Sequence, residues 1–535
     1  MPEKPFEIGL CMAGAVSAGA YTAGVMDYLI EALDTWESKR GQPGVPTHRV
    51  IIKAIGGASA GGMTGIIAAS AFNNPITPIR KAAQNLMDER TENKFYHTWV
   101  DLLQPDMFPL MLDNSDMDRG KIYSLFNSNF IEEISRRAIQ VDPDQWIEPP
   151  YVDNNMKFFT TLTNLEGLKY EAGARGNLTF NDYLISRHND YGAFILNKSA
   201  YNNDGWIPVD FRSNLNTEVA RNSAMATGAF PVGLRSRKLE RKSQWVNDLG
   251  WHKKITDRQP VSGENYEALI VDGGTINNEP FERVRDLIKE GISQDFDKFK
   301  STVLMIDPFP SEAEKFNVEN DSMFEVIGGT LSAMLGQLRT KPEVLEYSLK
   351  ENDAQQFQIA PTRKIEGEVR EGSRAIACGF MGGFGGFIHK EFRIHDYFLG
   401  RANCERFLRE YFTFPIDSSN SLFKEGYKDI PEDQFTSDDG KWRQIIPLFT
   451  PQAPEMYLPI FENGQDWPVR VEADIDRFKK ALKSRSGKIV MNLGEYSWWL
   501  KLLLQFANFL FLKGKMAKIV IDVIKKSMKD HKLLK

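Results

Sequence analysis

Ala54-Ile55-Gly56-Gly57-Ala58-Ser59-Ala60-Gly61-Gly62-Met63-Thr64-Gly65 is the stretch whose reading decides the fold. The β-branched run Val50-Ile51-Ile52 leads into it as a strand, and Ile66-Ile67-Ala68-Ala69-Ser70-Ala71 leads out with helical character. Strand, turn and helix frame Gly57-x-Ser59-x-Gly61, the pattern of a nucleophile elbow. There a serine is exposed on a strained turn while small neighbours let two backbones pass. Ser59 then stands near a helix N-terminus, whose unpaired N–H groups and positive dipole end favour developing negative charge. The plainer alternative is a glycine-rich turn with a capping serine. A phosphate-binding loop is set aside, because Gly57 to Thr64 carries Met63 where the phosphate-reaching lysine belongs.

Upstream, Phe6-Glu7-Ile8-Gly9-Leu10-Cys11-Met12 reads as a buried strand, Ala13 to Ala20 as a small-residue loop and Tyr21 to Trp36 as a helix. The loop glycines have the wrong spacing for a dinucleotide site. Beside a serine elbow, such a loop can instead offer backbone N–H groups to the oxyanion of an acyl-transfer intermediate, about 3 kcal/mol per donor. Downstream, Phe158 to Asn164 alternates as a strand that extends the sheet, and Val219 to Val232 begins as a small-residue helix stopped by Gly228 and Pro231. Tyr266 to Asp272 is an apolar strand ending in Asp272-Gly273-Gly274. Alone, that tripeptide is a turn; after the elbow and the small-residue loop it offers Asp272 as the partner of Ser59. A serine hydroxyl needs a base within hydrogen-bond reach. None of the seven histidines sits in a motif connected to the elbow; His389 and His395 belong to a separate glycine-aromatic region.

The 535 residues can hold one large domain with insertions, or two, and 42% hydrophobic with 26% charged residues is a globular composition. A net charge of -6 argues against general nucleic-acid affinity. Cys11, Cys378 and Cys404 are too few and scattered for a disulfide framework or a zinc site. The first residues have neither a basic region nor a long apolar run, so the expected location is the cytoplasm, with possible peripheral attachment to the inner membrane face.

Taken together, the loop, elbow and Asp-Gly-Gly resemble the patatin-like phospholipases, a family of lipid acyl hydrolases, and the run Phe392 to Arg401 is similar to the distal part of a bacterial patatin-related group. The resemblance spans roughly residues 5 to 412. It implies an α/β fold with a mostly parallel central sheet, helices on both faces and an α-rich C-terminal extension. It also implies a Ser59-Asp272 dyad working without metal or organic cofactor, with Gly57, Gly61, Gly273 and Gly274 as motif glycines. Oxyanion donors are expected among Gly14, Ala15, Val16 and Ala60. The family's three loop glycines fall on Gly14, Ala15 and Val16, and its loop arginine falls on Ala18, so only the first glycine is kept. Val16 is β-branched and resists a positive φ, which predicts a loop backbone of different shape. The expected reaction is cleavage of phospholipid acyl esters through acyl-Ser59. The rivals are a soluble esterase, thioesterase or peptidase with the same serine, and a catalytically impaired membrane-binding protein.

Residues 1–412 are expected to form the hydrolase domain, with a polar surface insertion around 235–265, and 413–535 an extension. His97 to Asp118 reads as core or lid, Met323 to Arg339 as a helix, and Gly379 to Phe387 as a packed loop or an acyl-pocket wall. In the tail, Ser497, Lys501, Gln505 and Asn508 form one polar stripe on an otherwise apolar helix from Tyr496 to Leu512. That run is too short and too interrupted to span a bilayer. Eight lysines from Lys513 to Lys535 face only Asp522 and Asp530. Tyr496 to Lys535 is therefore either a peripheral contact with anionic membrane or a helix docked on the core with a solvated end.

Overall fold

The computed structural model describes residues 4–82, 92–117, 121–171, 184–310, 357–365, 367–449, 458–492 and 513–535. Among the described residues nine strands form one sheet: β1 (Phe6–Met12), β2 (Val50–Gly57), β3 (Val152–Glu171), β4 (Leu184–Leu196), β5 (Ile207–Val209), β6 (Arg237–Lys242), β7 (Asn265–Asp272), β8 (Ser301–Ile306) and β9 (Phe357–Ile359). The order is β5-β4-β3-β2-β1-β8-β9, with β7 paired to the outer half of β3 and β6 to β7. The central strands β3, β2, β1, β8 and β9 run parallel, while β4 and β7 are antiparallel to β3.

Burial on both faces explains why β1 reads as a nearly unbroken apolar run. Phe6, Ile8, Leu10 and Met12 enter a large core with α1 (Gly19–Lys39), whereas Cys11 joins a second core with Val284 and Ile288 of the helix Phe281–Ile288. Helices thus cover both faces of a mostly parallel sheet, the α/β architecture expected. α1 also packs on the helix Lys390–Glu410, backbone against backbone: a Cβ on Gly24 would lie 1.9 Å from Tyr397 O, and one on Gly400 2.1 Å from Tyr21 O. Arg401 of that helix pairs with the buried Asp27 and Glu31 of α1.

Asp272 does reach the carboxyl edge of the parallel strands, but on a strand running against β3, with Leu162 opposite Asp272. β3 outlasts β2, whose Gly57 pairs Thr160, and the overhang carries β7. Residues 237–256 form β6 and two short helices, with Leu239, Trp245, Val246 and Leu249 buried.

The C-terminal region is largely helical and shares the main core. Phe6 meets Phe299 and Phe423, and Phe414 stacks on Phe423 with ring centres 4.1 Å apart. The helix Lys513–Asp530 turns Ala517, Ile521, Ile524 and Met528 inward, while Lys525 pairs with Glu472 and Asp476 and Lys529 with Glu472. This half of the tail is docked on the protein. The run 496–512 and the helix expected at 323–339 lie outside the described residues. Among the described residues, no helix is long and apolar enough to cross a membrane.

Candidate active site

β2 ends at Gly57, Ala58 is extended, and Ser59 takes φ +49° as the first residue of α2 (Ser59–Ala71). A left-handed serine costs of the order of 1 kcal/mol and persists only where its surroundings impose it. Two contacts do so. A Cβ on Gly57 would lie 2.5 Å from Gly61 C, and one on Gly61 would lie 2.2 Å from Met12 O, so only glycine lets α2 start this close to β1. The Ser59 N–H is held by Thr227 Oγ1 at 2.9 Å, and Thr227 Oγ1 in turn donates to Thr161 O at 2.7 Å.

Ser59 Oγ donates to Asp272 Oδ2 at 2.6 Å, and both residues are buried. Asp272 is fixed on every side that is not used by the serine. Its Oδ1 accepts from Gly274 N–H at 2.7 Å, its carbonyl accepts from Thr163 Oγ1 at 2.8 Å, and its own N–H donates to Ala229 O at 2.9 Å. Gly273 is required because a Cβ there would lie 2.0 Å from Thr161 O. The structure therefore brings Ser59, Asp272, Gly57, Gly61, Gly273 and Gly274 into one site. The histidines are engaged elsewhere: His48 with Ile445 O, His188 with Asn164 O, His252 with Val246 O, His389 with Glu391 N–H, His395 with Asp396, His531 with Ser527 O, and His97 beside Asp101. Among the described residues no cluster of three His, Cys, Asp or Glu side chains stands ready for a metal.

The small-residue loop lies against the elbow, since a Cβ on Gly14 would come 3.0 Å from Ser59 Cβ. The candidate donors are not equivalent. Gly14 N–H is turned toward Asn278 O at 3.3 Å, away from the donor role the sequence suggested. The N–H groups of Ala15, Val16 and Ala60 have no hydrogen-bond partner among the described residues, Ala60 being in the first turn of α2. Val16 does adopt a positive φ, +49°, contrary to what its β-branch predicts. Tertiary contacts override the local preference. Ser17 Oγ donates to Gly383 O and accepts from Gly386 N–H at 2.9 Å, pinning the loop to a segment 366 residues away.

Arg393 supports that segment from behind. Its Nη1 donates to Gly386 O, its Nε to Val100 O and its Nη2 to Gln104 O and Pro105 O. Burial lowers its pKa to about 10, which leaves it charged. This cation borders the same pocket as Ser59, in a protein whose loop has Ala18 at the position of the family's arginine.

A pocket of about 970 Å³, its open mouth included, runs from Ser59 and Val16 between α2 and the helix Phe130–Ile139. Met63, Ile67, Ile134, Ala138 and Met225 make its walls apolar, and Trp99 and Phe387 add aromatic surface. Of the described residues of 97–117, Val100, Met107 and Met111 are core while Thr98, Trp99 and Leu102 line the pocket. Sequence reasoning missed Thr227 and Ser17. Thr227 is the only hydroxyl at the C-terminal end of its helix, a signal that was available; the partners of Ser17 are visible only in three dimensions.

A serine–carboxylate pair at an elbow, unpaired backbone donors and an apolar pocket on an α/β sheet define an acyl hydrolase site. Residues 10–285 match the family described as Patatin-like phospholipase, and the chain belongs to that family. Its general activity is lipid acyl-ester hydrolysis. The chain is 32% identical over 599 aligned positions to an uncharacterised protein, y4iI, of Sinorhizobium fredii, the match covering 98% of this chain and 81% of that one. Among solved structures it is similar to VipD from Legionella pneumophila, with 13% identity, 99% of this chain and 85% of that chain covered, and a TM-score of 0.23.

Proposed function

We propose that the protein hydrolyses acyl esters of phospholipids through a covalent acyl-Ser59 intermediate, with Asp272 as the base. The single observation that carries this reading is the 2.6 Å hydrogen bond from Ser59 Oγ to Asp272 Oδ2 at the head of an apolar pocket. As Oγ attacks the ester carbonyl, its proton passes to Asp272 and the carbonyl oxygen becomes an oxyanion. The N–H groups of Ala15, Val16 and Ala60, with the positive end of α2, stabilise that charge. Collapse of the tetrahedral intermediate breaks the bond to the alcohol oxygen, and Asp272 returns the proton to the leaving lysolipid. Water then attacks the acyl-Ser59 carbonyl, Asp272 takes the proton from water and returns it to Ser59, and the fatty acid leaves. The acyl chain occupies the pocket between α2 and Phe130–Ile139, where its methylenes are shielded from water.

Treatment with a serine-directed fluorophosphonate followed by peptide mapping tests the reading. Label on Ser59, lost in Ser59→Ala, is the expected result. A folded protein that carries no label at Ser59 would make this a catalytically impaired lipid-binding protein. A labelled enzyme that prefers thioesters or short soluble esters over phospholipid by kcat/KM would move the substrate class.

A further inference from the structure

The mouth of the pocket carries apolar surface that packing does not require. Tyr123 is 45% exposed, Leu125 43%, Phe230 42% and Val232 73%. They are neighbours, because Leu125 N–H donates to Val232 O at 2.8 Å and Phe126 N–H to Gly233 O at 3.0 Å. Phe384 braces the patch from beneath, with its ring 5.6 Å from Phe230 and 6.0 Å from Phe126. Arg485 anchors it through Leu125 O at 2.6 Å and Asp116. Phe230 belongs both to this exposed patch and to the wall of the Ser59 pocket, so the two apolar surfaces are continuous. Val232 is the telling residue. It holds φ +67°, a left-handed backbone that a β-branched side chain adopts only at a cost, and it spends that conformation on exposing a valine to solvent.

The charge around the patch is one-sided. Arg235 lies over the Tyr123 ring at 4.1 Å, and neither it nor the exposed Lys121 has a carboxylate partner among the described residues. The helix that supplies Arg485, Lys479–Asn492, adds exposed Lys480, Lys483 and Lys488. Of the nearby carboxylates, Asp116 is paired with Arg485 and Glu132 with Arg221 and Arg237.

We propose that Tyr123, Leu125, Phe230 and Val232 form the face that docks on an anionic phospholipid surface and opens the Ser59 pocket directly onto it. This rests on the acyl-hydrolase reading above and adds where the lipid aggregate sits. The apolar tips enter the acyl region, Arg235 and the lysines stay at headgroup level, and an acyl chain passes along Phe230 into the pocket without crossing water.

The test uses the full-length protein with Leu125→Asp and Val232→Asp, neither of which lines the Ser59 pocket; aspartate tolerates a positive φ. Binding to phosphatidylcholine vesicles containing phosphatidylglycerol is measured by co-sedimentation, and hydrolysis is measured on those vesicles and on a soluble short-chain ester. Each substitution is expected to weaken vesicle binding about tenfold or more and to lower vesicle turnover with it, while soluble-ester kcat/KM stays within about twofold. Wild-type binding by both variants overturns the proposal, and so does equal loss on both substrates. Failure of this proposal is distinct from failure of the chemistry: a wild type that cleaves soluble ester but ignores vesicles loses the docking face and keeps Ser59. A wild type that binds vesicles through the patch but cleaves nothing keeps the docking face and loses the catalytic reading. If Leu125→Asp instead changes the oligomeric state of a protein indifferent to vesicles, the patch is an interface between copies and the proposal falls.

Discussion

Ser17→Ala probes how a strained loop is kept in a working shape. The hydroxyl donates to Gly383 O, accepts from Gly386 N–H and also meets the Cys378 thiol, and its removal changes little volume. Two such bonds contribute about 1–3 kcal/mol together. The left-handed backbone of Val16 opposes them by about 1–2 kcal/mol. The balance is close, so losing the hydroxyl should let Val16 relax to a negative φ and swing its N–H out of the proposed oxyanion site. Loss of one donor costs about 10²–10³ in kcat. Because relaxation will be partial, the expected fall is about 30- to 100-fold in kcat on a soluble p-nitrophenyl ester, with KM within about twofold. Val16→Gly added to Ser17→Ala should restore at least about tenfold, since glycine takes a positive φ without steric cost. A thermal melt run beside the kinetics separates loop shape from folding. Wild-type kcat in Ser17→Ala refutes the reasoning, and a slow Ser17→Ala that Val16→Gly does not rescue removes Val16 strain from the explanation.

Thr227→Val deletes the acceptor of the Ser59 N–H and should lower kcat about tenfold or more by leaving a buried donor unmatched, whereas Thr227→Ser should keep most activity. Equal rates in the two variants would show that the elbow does not depend on this bond. The pH dependence of stability follows from buried histidines: burial holds His48 and His252 down to about 4 and His389 to about 3. Unfolded, each binds its proton near 6.5, so as pH falls from about 6.5 toward 4 the unfolded chain takes up more protons and stability drops, by up to about 1.4 kcal/mol per pH unit per histidine. Urea unfolding at pH 7 and pH 5 should show a loss of several kcal/mol, and equal stability at the two pH values would contradict the buried neutral state.

The parts of the site that were legible in the sequence are those whose geometry is local. Gly57-x-Ser59-x-Gly61 and Asp272-Gly273-Gly274 each encode a turn within a few residues, and close backbone approach leaves no choice of side chain at Gly57, Gly61 or Gly273. The direction of β7 was not legible, because a strand's own residues do not say which neighbour it joins; that depended on β3 running past the end of β2. Val16 was misread for a related reason. Its intrinsic preference was judged correctly, but the Ser17 contacts that override it come from residues 383 and 386. The glycine-phenylalanine run, read from the sequence as a packed loop or an acyl-pocket wall, packs against the small-residue loop, with Gly386 so close that a Cβ would lie 2.6 Å from Ser17 Oγ. The lysines after residue 513 left open a membrane contact or a helix docked on the core; the helix that carries them turns Ala517, Ile521, Ile524 and Met528 inward and pairs Lys525 and Lys529 with Glu472.

The central claim is that Ser59 and Asp272 act as one unit, and the most direct measurement of it is phospholipid turnover by Ser59→Ala, Asp272→Asn and the double variant, each verified as folded. Asparagine can still accept from Gly274 N–H, so Asp272→Asn removes the base with little change of shape. The account predicts that each single change lowers kcat by about 10⁴ or more and that the double variant is no worse than the poorer single. Substantial turnover in folded Asp272→Asn, or a double variant slower by the product of the two single effects, would contradict it.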